Sequence, residues 1–230
     1  MNNNIVTRDV APDPDITALI AKYKAISAPL ENRVIGTTTG PILRANNAAG
    51  ESALGDVIAD SQLLATAPAD LGGAQIAFMN PGGIRADLNA TAGDTDVTYG
   101  EIFTVQPFGN SLVTMTLTGA QIDAVLEQQF RTTGNTVLQV SSGFAYSWSA
   151  SAAIGDKVSA ITLNGTALDP AASYRVTVNN FLATGGDGFT ALTAGTDPLG
   201  GAVDLDALEA YFVATGTVAP GPQNRITAIP

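Results

Sequence analysis

The 230-residue chain contains neither cysteine nor histidine. The first absence excludes disulfides and thiolate metal sites. The second removes the commonest transition-metal ligand and the commonest general base. A two-metal hydrolytic centre would have to be assembled here from carboxylates and amides alone. Charge is sparse, at 13% of residues, and one-sided: 10 Lys and Arg stand against 21 Asp and Glu, a formal net charge of −11. Such a field repels nucleic acid polymers and anionic membranes, so neither is an expected partner. A small anionic ligand is compatible with it, because a few converging arginines dominate the field inside a pocket. No run of about 18 apolar residues occurs, so no membrane-spanning helix is expected. The amino terminus, Met-Asn-Asn-Asn, lacks the basic and apolar stretches of a signal peptide and reads as the start of a mature or excised fragment.

What is present is a folding pattern. Hydrophobic residues make up 45% of the chain, enough for one well-cored domain. Residues 1–14, with Pro12 and Pro14, read as a linker. Asp15 is placed to cap a helix with Ile16, Leu19, Ile20, Tyr23 and Ile26 on one stripe, and Pro29 to stop it. A strand is expected over Arg33–Thr38 and a loop over Pro41–Gly50. Ser52 is placed to cap a second helix with Leu54, Val57, Ile58 and Leu64 on one side. The alternation of Leu112–Thr118 predicts a half-buried strand, and Thr118 with Gln121 forms a capping box for a helix using Ile122, Val125, Leu126 and Phe130. Gln75–Met79, Val137–Val140, Phe144–Trp148, Val158–Leu163 and Tyr174–Asn179 read as further strands, with Asn164-Gly165 as a hairpin turn. A last helix is expected over Asp204–Val213. Strands and helices mix without regular alternation, which predicts an α+β fold with a mixed β-sheet and packed helices.

Three glycine-rich loops are expected at strand ends, where binding residues tend to be displayed. In Asn80-Pro81-Gly82-Gly83-Ile84-Arg85 the glycines let a ligand approach the backbone, and Arg85 supplies a planar cation suited to phosphate. In Gln106-Pro107-Phe108-Gly109-Asn110 one face of Phe108 is left clear, and Asn110 offers a donor and an acceptor. In the run from Asn180-Phe181 to Gly188-Phe189, Asp187 sits between glycines, where its carboxylate suits paired hydroxyls, and Phe181 suits a base. Each loop alone is equally compatible with a structural turn. Together they offer partners for phosphate, base and sugar, with no evident nucleophile–base pair. That combination favours a binding module over a self-sufficient catalyst.

These motifs, with Tyr99-Gly100-Glu101-Ile102-Phe103 and the helix start Glu51-Ser52-Ala53-Leu54-Gly55-Asp56, resemble in order and spacing the C-terminal domain of the 5′-nucleotidase family, from about residue 33 to about 215. The resemblance implies that residues 1–32 are a linker and interdomain helix and that 33–230 form the nucleotide-binding domain. It implies that Phe108 and Phe181 sandwich a base and that Asp187 holds the ribose hydroxyls. Asn80 and Asn110 would contact base or sugar, Arg85 would face the phosphate, and Gly82, Gly83 and Gly143 would line the same pocket. Arg44 stands for the arginine that relatives carry before the Glu-Ser helix start. The family's divalent metal pair belongs to an N-terminal metallophosphoesterase domain that depends on histidines, so this chain is expected to carry no cofactor and no catalytic residue of its own. Family members commonly act outside the cytoplasm, which implies an extracellular, cell-wall or periplasmic setting. The same residues would serve nucleoside monophosphates, UDP-sugars or 2′,3′-cyclic nucleotides as substrates, or a non-catalytic surface module that binds nucleosides.

Overall fold

The computed structural model describes residues 7, 9–88, 93 and 95–230. The Met-Asn-Asn-Asn start and part of the expected linker lie outside the described residues; residues 9–13 form neither helix nor strand. In chain order the elements are α1 (Pro14–Glu31), β1 (Val34–Thr38), α2 (Ala53–Thr66), β2 (Ile76–Met79), β3 (Asp96–Thr98), α3 (Tyr99–Val105) and β4 (Ser111–Thr118). They continue with α4 (Gly119–Glu127), β5 (Phe130–Arg131), β6 (Gly134–Asn135), β7 (Gln139–Val140), β8 (Phe144–Ser149), β9 (Val158–Leu163) and β10 (Thr166–Ala167). The last are β11 (Ser173–Asn179), α5 (Asn180–Ala183), β12 (Thr196–Val203), α6 (Asp204–Thr215), β13 (Thr217–Val218) and β14 (Ile226–Ile229).

Among the described residues the largest sheet has the order β12-β4-β11-β2-β7. It is mixed: β11 runs antiparallel to β4 and parallel to β2. A second sheet has the order β10-β9-β8-β14, a third β13-β1-β3, and β5 pairs with β6. The fold is therefore α+β with mixed sheets and packed helices.

Period-two alternation sends the strands of the main sheet into two apolar clusters. Ile76, Phe78, Val176 and Val178 join a cluster with Leu117, Ile122, Val125, Phe144 and Tyr146. Met79 joins the other, with Leu54, Ile58, Leu88, Ile102, Leu205, Leu208 and Phe212. Helix α2 lies against the main sheet. Thr66 on this helix hydrogen-bonds Thr177 at 2.8 Å, and Thr177 hydrogen-bonds Thr114 at 2.7 Å, so buried hydroxyls satisfy one another.

Several boundaries differ from the sequence reading. The cap of α1 is Asp13, which accepts from the Asp15 and Ile16 amides; Pro14 then takes the first helical position, where its missing N–H matters least, and Asp15 falls in the first turn. Pro29 lies inside the helix instead of stopping it. Proline lacks a donor toward the preceding turn, yet beyond it the Asn32 amide still reaches the Ala28 carbonyl at 3.0 Å. Ser52 does cap α2, but Leu64 is exposed while polar Ser61, Gln62 and Thr66 are buried, because this central helix is enclosed on most sides. Phe130 belongs to β5, after the end of α4. The loop at Gln106–Asn110 follows the helix α3 and not a strand. Strand β12 escaped the pattern: Thr196–Val203 is glycine-bearing and mostly exposed, and its pairing with β4 holds it.

Candidate functional site

Asn80, Gly82, Gly83, Arg85, Phe108, Asn110, Phe181 and Asp187 line one cavity of about 460 Å³, together with Asn179. Three chain segments far apart in sequence meet there because their supporting elements are neighbours. β2 and β11 pair in parallel, so the loops beyond Met79 and Asn179 emerge on the same side. The 106–110 loop is delivered by α3 and leads directly into β4, the other neighbour of β11.

The loops are fastened to one another by side-chain amides. The Asn179 side chain accepts from the Leu182 amide at 2.9 Å, capping α5, and its Nδ2 donates to Asn80 Oδ1 at 2.9 Å. Asn80 Nδ2 in turn donates to Asp187 Oδ2 at 2.7 Å. Asn80 is only 3% exposed, so its amide is held in one orientation and serves to aim Asp187. Asp187 has a left-handed backbone, φ 53 and ψ 16. Gly186 lies under Phe181: a Cβ there would come within 2.5 Å of the ring and of the Phe181 carbonyl oxygen. A side chain on Gly82 would approach Asp187 Oδ2 at 3.3 Å.

Both phenyl rings present surface to solvent, 58% for Phe108 and 44% for Phe181, although large aromatics are ordinarily buried. The Arg85 guanidinium lies 5.8 Å from the centre of the Phe108 ring, and its Nη1 donates to the Gly82 carbonyl at 3.3 Å. Asn110 donates through Nδ2 to Asp204 Oδ2 at 3.3 Å, while its carbonyl accepts from the Asp204 amide at 2.8 Å. Burial pushes the Asp204 carboxyl above its ordinary pKa, with the hydrogen bond from Asn110 opposing that shift. The cavity thus presents two accessible aromatic faces, a cation, a carboxylate and a fixed amide.

Two expected residues lie elsewhere. Arg44 lines a neighbouring hollow with Ala45, Asn46, Ser52, Pro81, Ile84 and Asp87. Its Nη1 donates to the carbonyls of Ile84 and Arg85 at 3.2 and 3.3 Å, so it braces the first loop from outside. Gly143, at φ 85, adjoins the β9–β10 turn: a Cβ there would meet Asn164 Oδ1 at 2.4 Å, and the Asn164 amide donates to the Gly143 carbonyl at 2.6 Å. It serves the hairpin and is absent from the cavity lining. Sequence reasoning missed Asn179 and Asp204, which orient the lining amides. An asparagine one residue before a short helix is a cap signal that could have marked the first.

Asp187 is the sole carboxylate among the lining residues. Among the described residues no group of three His, Cys, Asp or Glu side chains could hold a metal ion. The residues present do not fit a two-metal centre, and no metal-dependent step is assigned to them. No described helix is long and apolar enough to cross a membrane.

A family model described as "5′-nucleotidase, C-terminal domain" matches residues 34–194. Over 199 residues the chain is 36% identical to a cell wall protein of Listeria monocytogenes, covering 80% of this chain and 25% of that protein. Over 190 residues it is 35% identical to a trifunctional nucleotide phosphoesterase protein of Bacillus subtilis, covering 78% of this chain and 12% of that one. Its structure matches the 5′-nucleotidase precursor of Thermus thermophilus with a TM-score of 0.80 and 34% identity, over 95% of this chain and 44% of that chain. The chain therefore spans less than half the length of each of these proteins.

Proposed function

Starting from the chain's membership of the 5′-nucleotidase C-terminal domain family, we propose that it recognises the nucleoside part of a nucleotide in the cavity at Asn80–Arg85, Phe108–Asn110 and Phe181–Asp187. The observation that carries this reading is the pair of exposed rings, Phe108 and Phe181, lining one cavity with Asp187 between glycines. Exposed phenyl faces lining one cavity suit stacking on a planar base. With one Asp187 oxygen taken up by Asn80, the other is available to ribose hydroxyls. Arg85, beside the Phe108 ring, supplies positive charge for the phosphate end.

Cleavage of the phosphate ester is assigned to a separate metallophosphoesterase domain of the parent protein, as the limited span of this chain on its relatives supports. A metal pair there would supply a nucleophilic hydroxide and charge stabilisation. Helix α1 would be the interdomain helix, and its apolar stripe Ile16, Leu19, Ile20, Tyr23 and Ile26 is exposed. Likeness to a cell wall protein supports a setting outside the cytoplasm. Nucleoside monophosphates are the proposed substrates.

The test is adenosine and AMP binding to this chain, read by NMR titration. Phe181→Ala is expected to weaken binding by about 1–3 kcal/mol, the usual loss of one base-stacking ring. Unchanged affinity in that variant would remove the sandwich.

A further inference from the structure

Beyond the cavity lining lies a second set of contacts that holds the Asp187 loop from behind. Gln128, the residue that caps the C-terminus of α4, donates through Nε2 to Thr190 Oγ1 at 2.9 Å and accepts from the Ala191 amide at 3.0 Å. Arg131, in β5, donates through Nε to the Gln128 carbonyl at 2.9 Å and through Nη2 to the carbonyl of Asp187 itself. Its guanidinium lies 5.4 Å from the centre of the buried Phe189 ring. It also covers Gly188, where a Cβ would come within 3.1 Å of Arg131 Cζ. Neither residue lines the cavity.

This arrangement answers a physical problem. An aspartate with φ 53 occupies backbone space that L-residues rarely adopt, between glycines that have many alternatives. Something must fix both its backbone and its side chain if the carboxylate is to stay aimed. Asn80 fixes the side chain. Resting on the reading that Asp187 accepts ribose hydroxyls, we infer that Arg131, seated on Gln128, is the positioning residue that makes the cavity selective for a nucleoside bearing a 2′,3′-diol. Arg131 holds the Asp187 carbonyl and packs on the following glycine and phenylalanine. The carboxylate therefore meets the diol without first having to be ordered, and binding loses less entropy. A ligand without the diol gains nothing from this ordering.

The test compares adenosine with 2′,3′-dideoxyadenosine on the intact 230-residue chain and its variants, by calorimetric or NMR titration. The unaltered chain is expected to prefer adenosine. Arg131→Met keeps an unbranched stem out to the position of Nε and removes the guanidinium with its donors. Adenosine affinity should fall about tenfold or more, as for a lost charge-assisted hydrogen bond, while dideoxyadenosine affinity stays within about twofold. Arg131→Lys retains the charge on a single nitrogen, which cannot reach both carbonyls as Nε and Nη2 do, and should lose part of the preference. If the Met variant fails to fold, the Lys variant decides: an intermediate ratio supports the inference, and an unchanged ratio overturns it. Preference retained in full by a folded Arg131→Met, or equal loss for both nucleosides, would also overturn it while leaving the Asp187 reading intact. Equal affinity of the unaltered chain for both nucleosides would bring down the diol reading itself, and this inference with it.

Discussion

Single residues in this protein carry constraints that propensity scales would misjudge. Gly119 occupies the first position of α4, and helix propensity, worth about 1 kcal/mol in a helix interior, would favour alanine over it. A Cβ there, however, would lie 2.2 Å from the Asp169 carbonyl oxygen and 3.0 Å from Pro170 Cα, both backbone atoms. The clash outweighs the propensity, because overpacking of this kind costs about 1–3 kcal/mol. Gly119→Ala is therefore expected to lower stability in a urea titration despite being a better helix former. A neutral or stabilising result would show that the turn at Asp169–Pro170 yields without cost. The same close packing is seen at Gly55, where the Gln139 side chain leaves no room for a methyl group.

At the scale of elements, the start of α2 and the last strand are joined through a buried charged cluster. Glu51 accepts from the Arg225 and Ile226 amides at 3.0 and 3.2 Å, and Arg225 pairs with Asp60 at 2.7 Å. Asp56 lies among these groups and accepts from the Gln223 amide at 3.0 Å; its Oδ1 has no hydrogen-bond partner among the described residues. Burial first, with Glu51 adding to it and Arg225 opposing, pushes its pKa from 3.8 up to about 7. The folded chain thus holds this proton more tightly than the unfolded chain does. Its contribution favours folding at low pH and is lost progressively as pH rises from about 4 to about 7. Asp56→Asn mimics the protonated form and cannot ionise. Its melting midpoint is expected to match that of the unaltered protein near pH 4 and to exceed it above pH 7. Parallel pH profiles for the two proteins would show that Asp56 ionises without penalty.

For the molecule as a whole, the body of the fold is shared between two apolar clusters with α2 against the sheet that separates them, while α1 stands apart. None of the α1 residues is buried. Its end lies near α3, where a Cβ on Gly100 would meet the Glu31 carbonyl oxygen at 3.0 Å. Removing residues 1–26 is therefore expected to change the melting midpoint by no more than about 3 °C, since a 1 kcal/mol effect shifts a domain of this size by about 2–4 °C. A large fall would mean that α1 supports the core after all. Trp148, packed against one of the clusters, and far-UV circular dichroism should report one coincident unfolding transition.

The sequence by itself determined the local grammar of this protein. The Ser52 and Thr118 caps, the Asn164-Gly165 turn and the alternating strands Leu112–Thr118 and Tyr174–Asn179 follow from short-range hydrogen bonding and side-chain period, which the chain carries within a few residues. The absence of histidine and cysteine likewise removed the commonest transition-metal ligands from the chain. The order of glycine-rich motifs was enough to point to the family. Only the tertiary structure decided which of the named residues meet. Phe108 and Phe181 share a cavity because β2, β11 and β4 are adjacent. Arg44 and Gly143 are diverted to bracing a loop and a hairpin by contacts with residues distant in sequence or across a turn. The same holds for strand β12, which has little pattern of its own and exists by pairing with β4, and for Arg131, whose hold on Asp187 spans 56 positions. Such contacts depend on where a strand or loop is delivered in space, and no local window of sequence contains that information.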